Sequence, residues 1–309
     1  MTIDPRLRLS GRDFALIGLI CLAWAGNFLT SKLALREFPP FAFTALRLAV
    51  LALVLSPFLK RPSAGQWPLL IAVALCNGAL HFGLSFWSLK LSATLASPAI
   101  VMQSYVPMAA LLAWWLRGER FHWRTGAAIA LSFLGVLVLG FDPVVLHSPA
   151  ALLMMLVSAF FLALGTVLMR GLSGLDMFSQ QGWTALIGLL PLCATSLAIE
   201  PDALASLTHA SWVAWSGVVY SAVVASLIGH GLYYSLVQRH PVATITPFLL
   251  VTPVLATGLG IATLGDQPGP RLWLGGAMVL GGVLVIGLRN LAKLYQQRQA
   301  PVADQPPLA

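Results

Sequence analysis

The sequence predicts an all-α membrane protein of ten transmembrane helices arranged as two inverted five-helix repeats. Three observations predict it. Of 309 residues, 58% are hydrophobic and only 9% charged, far below the charge a soluble domain carries on its surface. The apolar residues fall in ten continuous runs of about 20, the length that spans a bilayer. The second half of the chain then repeats landmarks of the first, in order.

The runs cover 14–35, 41–59, 68–89, 92–115, 124–141, 150–169, 179–199, 211–236, 242–264 and 272–289. They are continuous rather than alternating, which excludes a transmembrane β-barrel. Turn-forming chemistry separates them: Pro39-Pro40, Arg61-Pro62, Gly118-Glu119-Arg120, Asp142-Pro143, Gly171 to Gly174, Glu200-Pro201-Asp202, His240-Pro241 and Asp266 to Pro270. Cys21, Cys76 and Cys193 each sit inside an apolar run and read as small core residues, with no spacing for a metal or disulfide framework.

With the N-terminus placed in the cytoplasm, thirteen Lys and Arg fall on the inner side and four, Lys32, Arg36, Lys90 and Arg271, on the outer. Arg47 lies within a span. That bias orients the chain with both termini inside. The net charge of +8 is then a topology signal and a contact with anionic lipid head groups, and no basic, aromatic-interleaved patch points to nucleic acid.

Within the repeat, Phe86-Trp87-Ser88-Leu89 matches Tyr233-Tyr234-Ser235-Leu236, and Ala93 to Pro98 parallels Ala243 to Pro247. Val106-Pro107 matches Thr252-Pro253, Gly118-Glu119 matches Gly265-Asp266, and Gly135 to Gly140 matches Gly282 to Gly287. Five spans per copy is an odd number, so the second copy enters the membrane from the opposite side, as in many secondary transporters. The chain therefore divides into a cytoplasmic segment 1–13, repeats 14–141 and 150–290, and a disordered cytoplasmic tail 291–309.

Polar groups inside hydrocarbon are expensive and mark candidate sites. Trp24, Asn27 and Ser31 share one stripe of span 1. Asn77, His81, Ser85 and Ser88 share one face of span 3, and Ser226, His230 and Tyr233 one face of span 8. Tyr234 follows on. His81 and His230 occupy similar places in their repeats and are candidate coupling groups, because imidazole titrates near neutral pH. The competing expectation is that each histidine is a satisfied interhelical hydrogen bonder. Arg47, about seven residues into span 2, snorkels, pairs, or faces a cavity where its fork suits a substrate carboxylate. Gln103 and Tyr105 lie mid-span beside Pro107, and Thr246-Pro247 and Thr252-Pro253 mark span 9. Proline frees a carbonyl one turn back, so bends are expected in both. The small residues Gly217, Ser221, Ala225 and Gly229 of span 8 and the glycines of span 10 read as packing faces within the molecule.

The sequence resembles the EamA-type family of the drug/metabolite transporter superfamily. The resemblance rests on Trp24-Ala25-Gly26-Asn27-Phe28, on Pro39-Pro40 followed by Ala45-Leu46-Arg47, on Gly118-Glu119-Arg120 and on the Gly-Val-Leu-Val-Leu ending of span 5, and covers about residues 14–290. In the second repeat Gly265-Asp266-Gln267 departs from the usual Glu. The resemblance implies ten helices as 5+5, a central cavity that span 1 helps to line, peripheral spans 5 and 10, and export of amino acids or related metabolites across a bacterial inner membrane. Efflux of drugs or other toxic compounds is the alternative.

A channel is disfavoured by the inverted repeat and by interspan loops too short for a selectivity filter, and an intramembrane enzyme is the remaining class. No GxSxG, HExxH, DxxD or P-loop occurs, so no catalytic residue, metal or cofactor is expected. The expected partners are a small-molecule substrate and the bilayer, with monomer and homodimer both open.

Overall fold

The computed structural model describes residues 9–299, with side chains through residue 296. Ten of its helices are long and apolar enough to cross a membrane. They are α1 (Gly11–Ala34), α2 (Pro40–Phe58), α3 (Ala64–Leu91), α4 (Ala96–Arg117), α5 (Trp123–Gly140), α6 (Pro149–Met169), α7 (Met177–Ile199), α8 (Trp212–Val237), α9 (Val242–Leu264) and α10 (Pro270–Gln299). Two short helices, Pro143–Leu146 and Ala203–His209, sit in connections.

Local chemistry sets the ends. Ser10 caps α1 by accepting the Asp13 N–H, while the Asp13 carboxylate accepts the Ser10 N–H at 2.9 Å, a reciprocal capping box. Proline opens α2 and α6, where the missing donor would be unpaired anyway. The repeated Gly-acid landmark is the terminator of α4 and α9: Gly118 at φ 67° and Gly265 at φ 72° take the left-handed conformation, which disfavours a side chain. α10 runs on past the expected boundary at 290. Asn290 to Gln299 holds no proline or glycine, and nothing stops the helix there. The rest of the expected tail, 300–309, and residues 1–8 of the expected N-terminal segment lie outside the described residues.

Both proline-marked spans are broken. α4 turns at Gln103-Ser104, before Pro107, and α9 at Leu250, before Pro253. Three stretches widen into π-helix: Leu75–Leu80 in α3, Tyr220–Gly229 in α8 and Gly260–Leu264 at the end of α9.

The helices pack in a repeating scheme. α1 lies on α8 and α9, and α6 on α3 and α4; α2 pairs with α7, and α5 with α10. Exchanging the first five helices for the last five leaves this scheme unchanged. α2 and α7 run antiparallel. The Lys60 ammonium beyond the end of α2 meets Asp176 ahead of α7 at 2.6 Å, and Glu200 beyond α7 accepts the N–H groups of Phe41 and Ala42 in the first turn of α2. α5 and α10 are antiparallel too. Asp142 after α5 accepts the Leu272 N–H, and Arg289 donates to Thr125. Along that pair a Cβ on Gly135, Gly275 or Gly282 would strike the opposite backbone, so the small residues set a close crossing.

The two ends of the bundle are tied differently. On the face that carries Asp13, side chains pair: Asp13 with Arg239 at 3.3 Å and with the His240 ring at 3.2 Å, Lys60 with Asp176, and Glu119 with Arg170 at 2.8 Å. On the opposite face carboxylates hold helix N-termini instead. Glu200 holds α2, Asp266 accepts the Leu95 N–H before α4, and Asp142 holds α10. Glu37 accepts both the hydroxyl and N–H of Ser211, which caps α8. Those Ser211 bonds hold the Glu37 carboxyl below its usual range, as expected for a charged form that accepts donors. Beneath this face Phe38, Phe43, Phe86, Leu89, Leu95 and Val218 form a closed apolar plug.

Candidate functional site

α8 builds the first half of the site. Its π-helical stretch ends at Gly229, immediately before His230. The His230 Nδ1 lies 3.2 Å from the carbonyl oxygens of both Ala225 and Ser226. Carbonyls only accept, so Nδ1 carries the proton and Nε2 is the open nitrogen. Trp24 of α1 donates its Nε1–H to the same Ala225 carbonyl at 3.1 Å, and its ring lies 5.2 Å from that of His230 and 6.0 Å from that of Tyr233. A Cβ on Gly229 would press on the Trp24 nitrogen, which explains why a glycine stands there.

Arg47 approaches from α2. It is 2% exposed. Its Nε donates to the Ser221 carbonyl at 3.3 Å and its Nη2 to the Ser226 hydroxyl at 2.6 Å, while Nη1 has no partner. The guanidinium lies over the ring of Phe82 at 3.8 Å and 5.4 Å from that of Phe86, a cation–π contact. Asn27 is half-buried on α1 and accepts the Ser31 hydroxyl at 3.2 Å.

The polar face of α3 goes elsewhere. A Cβ on Gly165 of α6 would collide with the Asn77 side chain, whose Oδ1 is buried without a partner. His81 Nδ1 lies 2.9 Å from the Ser158 hydroxyl, which donates back to the His81 carbonyl at 2.8 Å. With the hydroxyl proton used in that way, Nδ1 must be the donor. Ser88 donates to the Ala151 carbonyl at 2.6 Å, and Ser85 is buried on the same face. The α6 partners Gly165, Ser158 and Ala151 are spaced by seven, so the stripe is a seam between α3 and α6.

The remaining candidates are spread out. Gln103 is half-buried at the break in α4. Tyr105 packs with Leu112, Ala163 and Val167 against α6. Tyr234 is half-buried near the end of α8. Lys32 caps the end of α3, donating to the carbonyls of Leu89, Lys90 and Ser92. The span 8 ladder packs within the molecule: a Cβ on Gly217 would meet Thr30 and Ala34 of α1.

Sequence reasoning missed Phe82 and Phe86, the rings on which Arg47 rests, although their spacing of four, one helical turn on a single face, was a usable signal. It also missed Ser158, one serine in a uniformly apolar span, and read Ser221 only as a small packing residue.

A model of the EamA-like transporter family matches residues 14–141 and again 149–288. The chain belongs to the EamA-like transporter family. This EamA-like chain is a multi-pass membrane protein of a transporter family rather than an enzyme family. It is 26% identical over 291 residues to a probable amino-acid metabolite efflux pump of Escherichia coli, an alignment that covers 91% of the chain and 97% of the relative. It is also 26% identical to a probable terminal-alkyne amino-acid exporter of Streptantibioticus cattleyicolor, covering 93% and 97%. A solved crystal structure superposes with a TM-score of 0.60 at 19% identity, over 94% of this chain and all of that one, and shares the fold.

Proposed function

We propose that this transporter exports small metabolites, amino acids or their derivatives, across the bacterial inner membrane by alternating access between two five-helix units of opposite orientation, with both termini cytoplasmic. The observation that carries the reading is the cluster of Arg47, Ser226, His230 and Trp24, formed where α1 and α2 of one unit meet α8 of the other. A site between two units changes its access when they rock. The antiparallel pairing of α2 with α7 and of α5 with α10 supports the inverted arrangement, and the efflux names carried by two relatives support the direction and substrate class.

Trp24, Asn27, Arg47, Ser226, His230 and Tyr233 are the proposed substrate contacts. Efflux of lipophilic cations is the second reading, and a buried guanidinium without a carboxylate partner disfavours it. Counterflow in proteoliposomes, with labelled amino acids and a protonophore control, tests the proposal. Saturable exchange of one amino-acid class is the expected result. Exchange of lipophilic cations alone would replace the substrate class, and exchange of nothing by folded protein would overturn the reading.

A further inference from the structure

Arg47 is a buried cation without a counter-charge. No ion pair among the described residues includes it. The carboxylates of the face opposite Asp13 are committed to helix starts: Glu200 to Phe41 and Ala42, Asp266 to Leu95, Glu37 to Ser211. A guanidinium carries five N–H donors in one plane. Arg47 spends one on the Ser221 carbonyl and one on the Ser226 hydroxyl. Three stay unspent, both protons of Nη1 and the second of Nη2, and Nη1 is sealed from solvent without a partner. These unspent donors form the end-on fork of the guanidinium, the edge that grips a carboxylate through two parallel bonds. Phe82 covers one face of the plane, and the Ser221 and Ser226 bonds stop it rotating. The side chain is therefore held in one orientation before any ligand arrives, which saves ordering entropy on binding.

We infer that the missing counter-charge is the substrate's own: Arg47 anchors a free carboxylate through Nη1 and Nη2, and the transporter distinguishes acids from their amides and from the corresponding amines. This rests on the export reading above and names the chemical feature the site selects. The apolar face of Trp24 and the open Nε2 of His230 lie across the same stretch of α8 and supply the flank for the rest of the molecule.

The test is competition in counterflow by the full-length protein in proteoliposomes. Leucine, leucinamide and isoamylamine share a side chain and differ at the carboxyl position. In wild type, the amide and the amine compete roughly tenfold to a hundredfold more weakly than the acid, the worth of charge-assisted hydrogen bonds. Arg47→Gln abolishes that preference, and Arg47→Lys keeps part of it as a point charge without the fork. Equal competition by acid and amide in wild type overturns the inference without any variant having to fold. So does an undiminished preference in Arg47→Gln. Competition by chloride or phosphate as strong as by leucine would assign an inorganic-anion site instead and also overturn it. Exchange of amines but not acids would defeat the carboxylate anchor while leaving the export reading intact; exchange of nothing defeats both.

Discussion

α3 and α8 are built alike and packed differently. Each carries a π-helical stretch that ends just before a histidine, His81 or His230, and each histidine donates through Nδ1. The α3 stripe is closed by α6: Asn77 sits on Gly165, His81 on Ser158 and Ser88 on Ala151. The α8 stripe meets a cation and an aromatic ring. The Ser226 hydroxyl accepts a hydrogen bond from Arg47, and His230 and Trp24 share the Ala225 carbonyl. A polar face that meets glycine, serine and main-chain carbonyls is consumed in holding two helices together. One that meets a guanidinium with donors to spare can hold a ligand. The lesson is that helical spacing finds polar faces, and the neighbour decides what they do.

The sharpest way to break this comparison is at Gly165. Gly165→Val places a Cβ where Asn77 lies and is expected to destabilise the protein by roughly 3 kcal/mol, the upper end for overpacking. The thermal melt in detergent should fall accordingly. Much of the loss should return in an Asn77→Ala background, because the two sites share one contact. A melt unchanged by Gly165→Val would mean that the α3 seam is not tightly packed.

The histidines test the comparison directly. His81→Ala removes a bond across a buried seam, so stability should fall by about 1–3 kcal/mol while the apparent KM of the remaining folded protein holds. His230→Ala should melt nearer to wild type and lose transport by roughly tenfold, the worth of one well-made hydrogen bond to a ligand. The reverse pattern would exchange the roles of α3 and α8.

At the ends of the bundle the effects are smaller. Glu200→Ala removes the acceptor for the Phe41 and Ala42 N–H groups and should lower stability by about 1 kcal/mol, like the loss of an N-cap. The smallest effect is at Lys60 and Asp176, an exposed pair. The Lys60 ammonium, followed by the Ser179 N–H, holds the Asp176 carboxyl below its ordinary value of 3.8. A lowered folded-state value adds stability that is fully present above that ordinary value and is lost as the pH falls through the folded one. Melts compared at neutral and acid pH should therefore show a slightly smaller acid loss in Asp176→Asn. Added salt should erase the difference. A salt-insensitive effect would show that the hydrogen bond to the helix start, rather than the ion pair, is what matters there.

Much of this architecture was legible in the chain. Hydropathy marked ten spans, and the paired landmarks Gly118-Glu119 and Gly265-Asp266 turned out to be matching left-handed helix ends. Pro107 and Pro253 marked the breaks in α4 and α9. The candidate site was legible only in part. Arg47, Trp24, Ser226 and His230 were identified by the expense of polar groups in hydrocarbon, whereas Phe82, Phe86, Ser158 and Ser221 were not, because an apolar ring or a lone serine in a membrane helix breaks no local rule.

The sequence by itself determined which segments are long and apolar enough to cross the membrane, most of their ends and which faces carry polar groups, since those depend on residues within a turn or two of each other. Only the tertiary structure decided which helix each face meets. Lipid and neighbouring helix are equally apolar, so hydrophobicity offers no contrast between them, and helix contacts rest on packing and a few hydrogen bonds. Arg47 reaches residues 174 and 179 positions away, and nothing within its own helix announces Ser221 or Ser226.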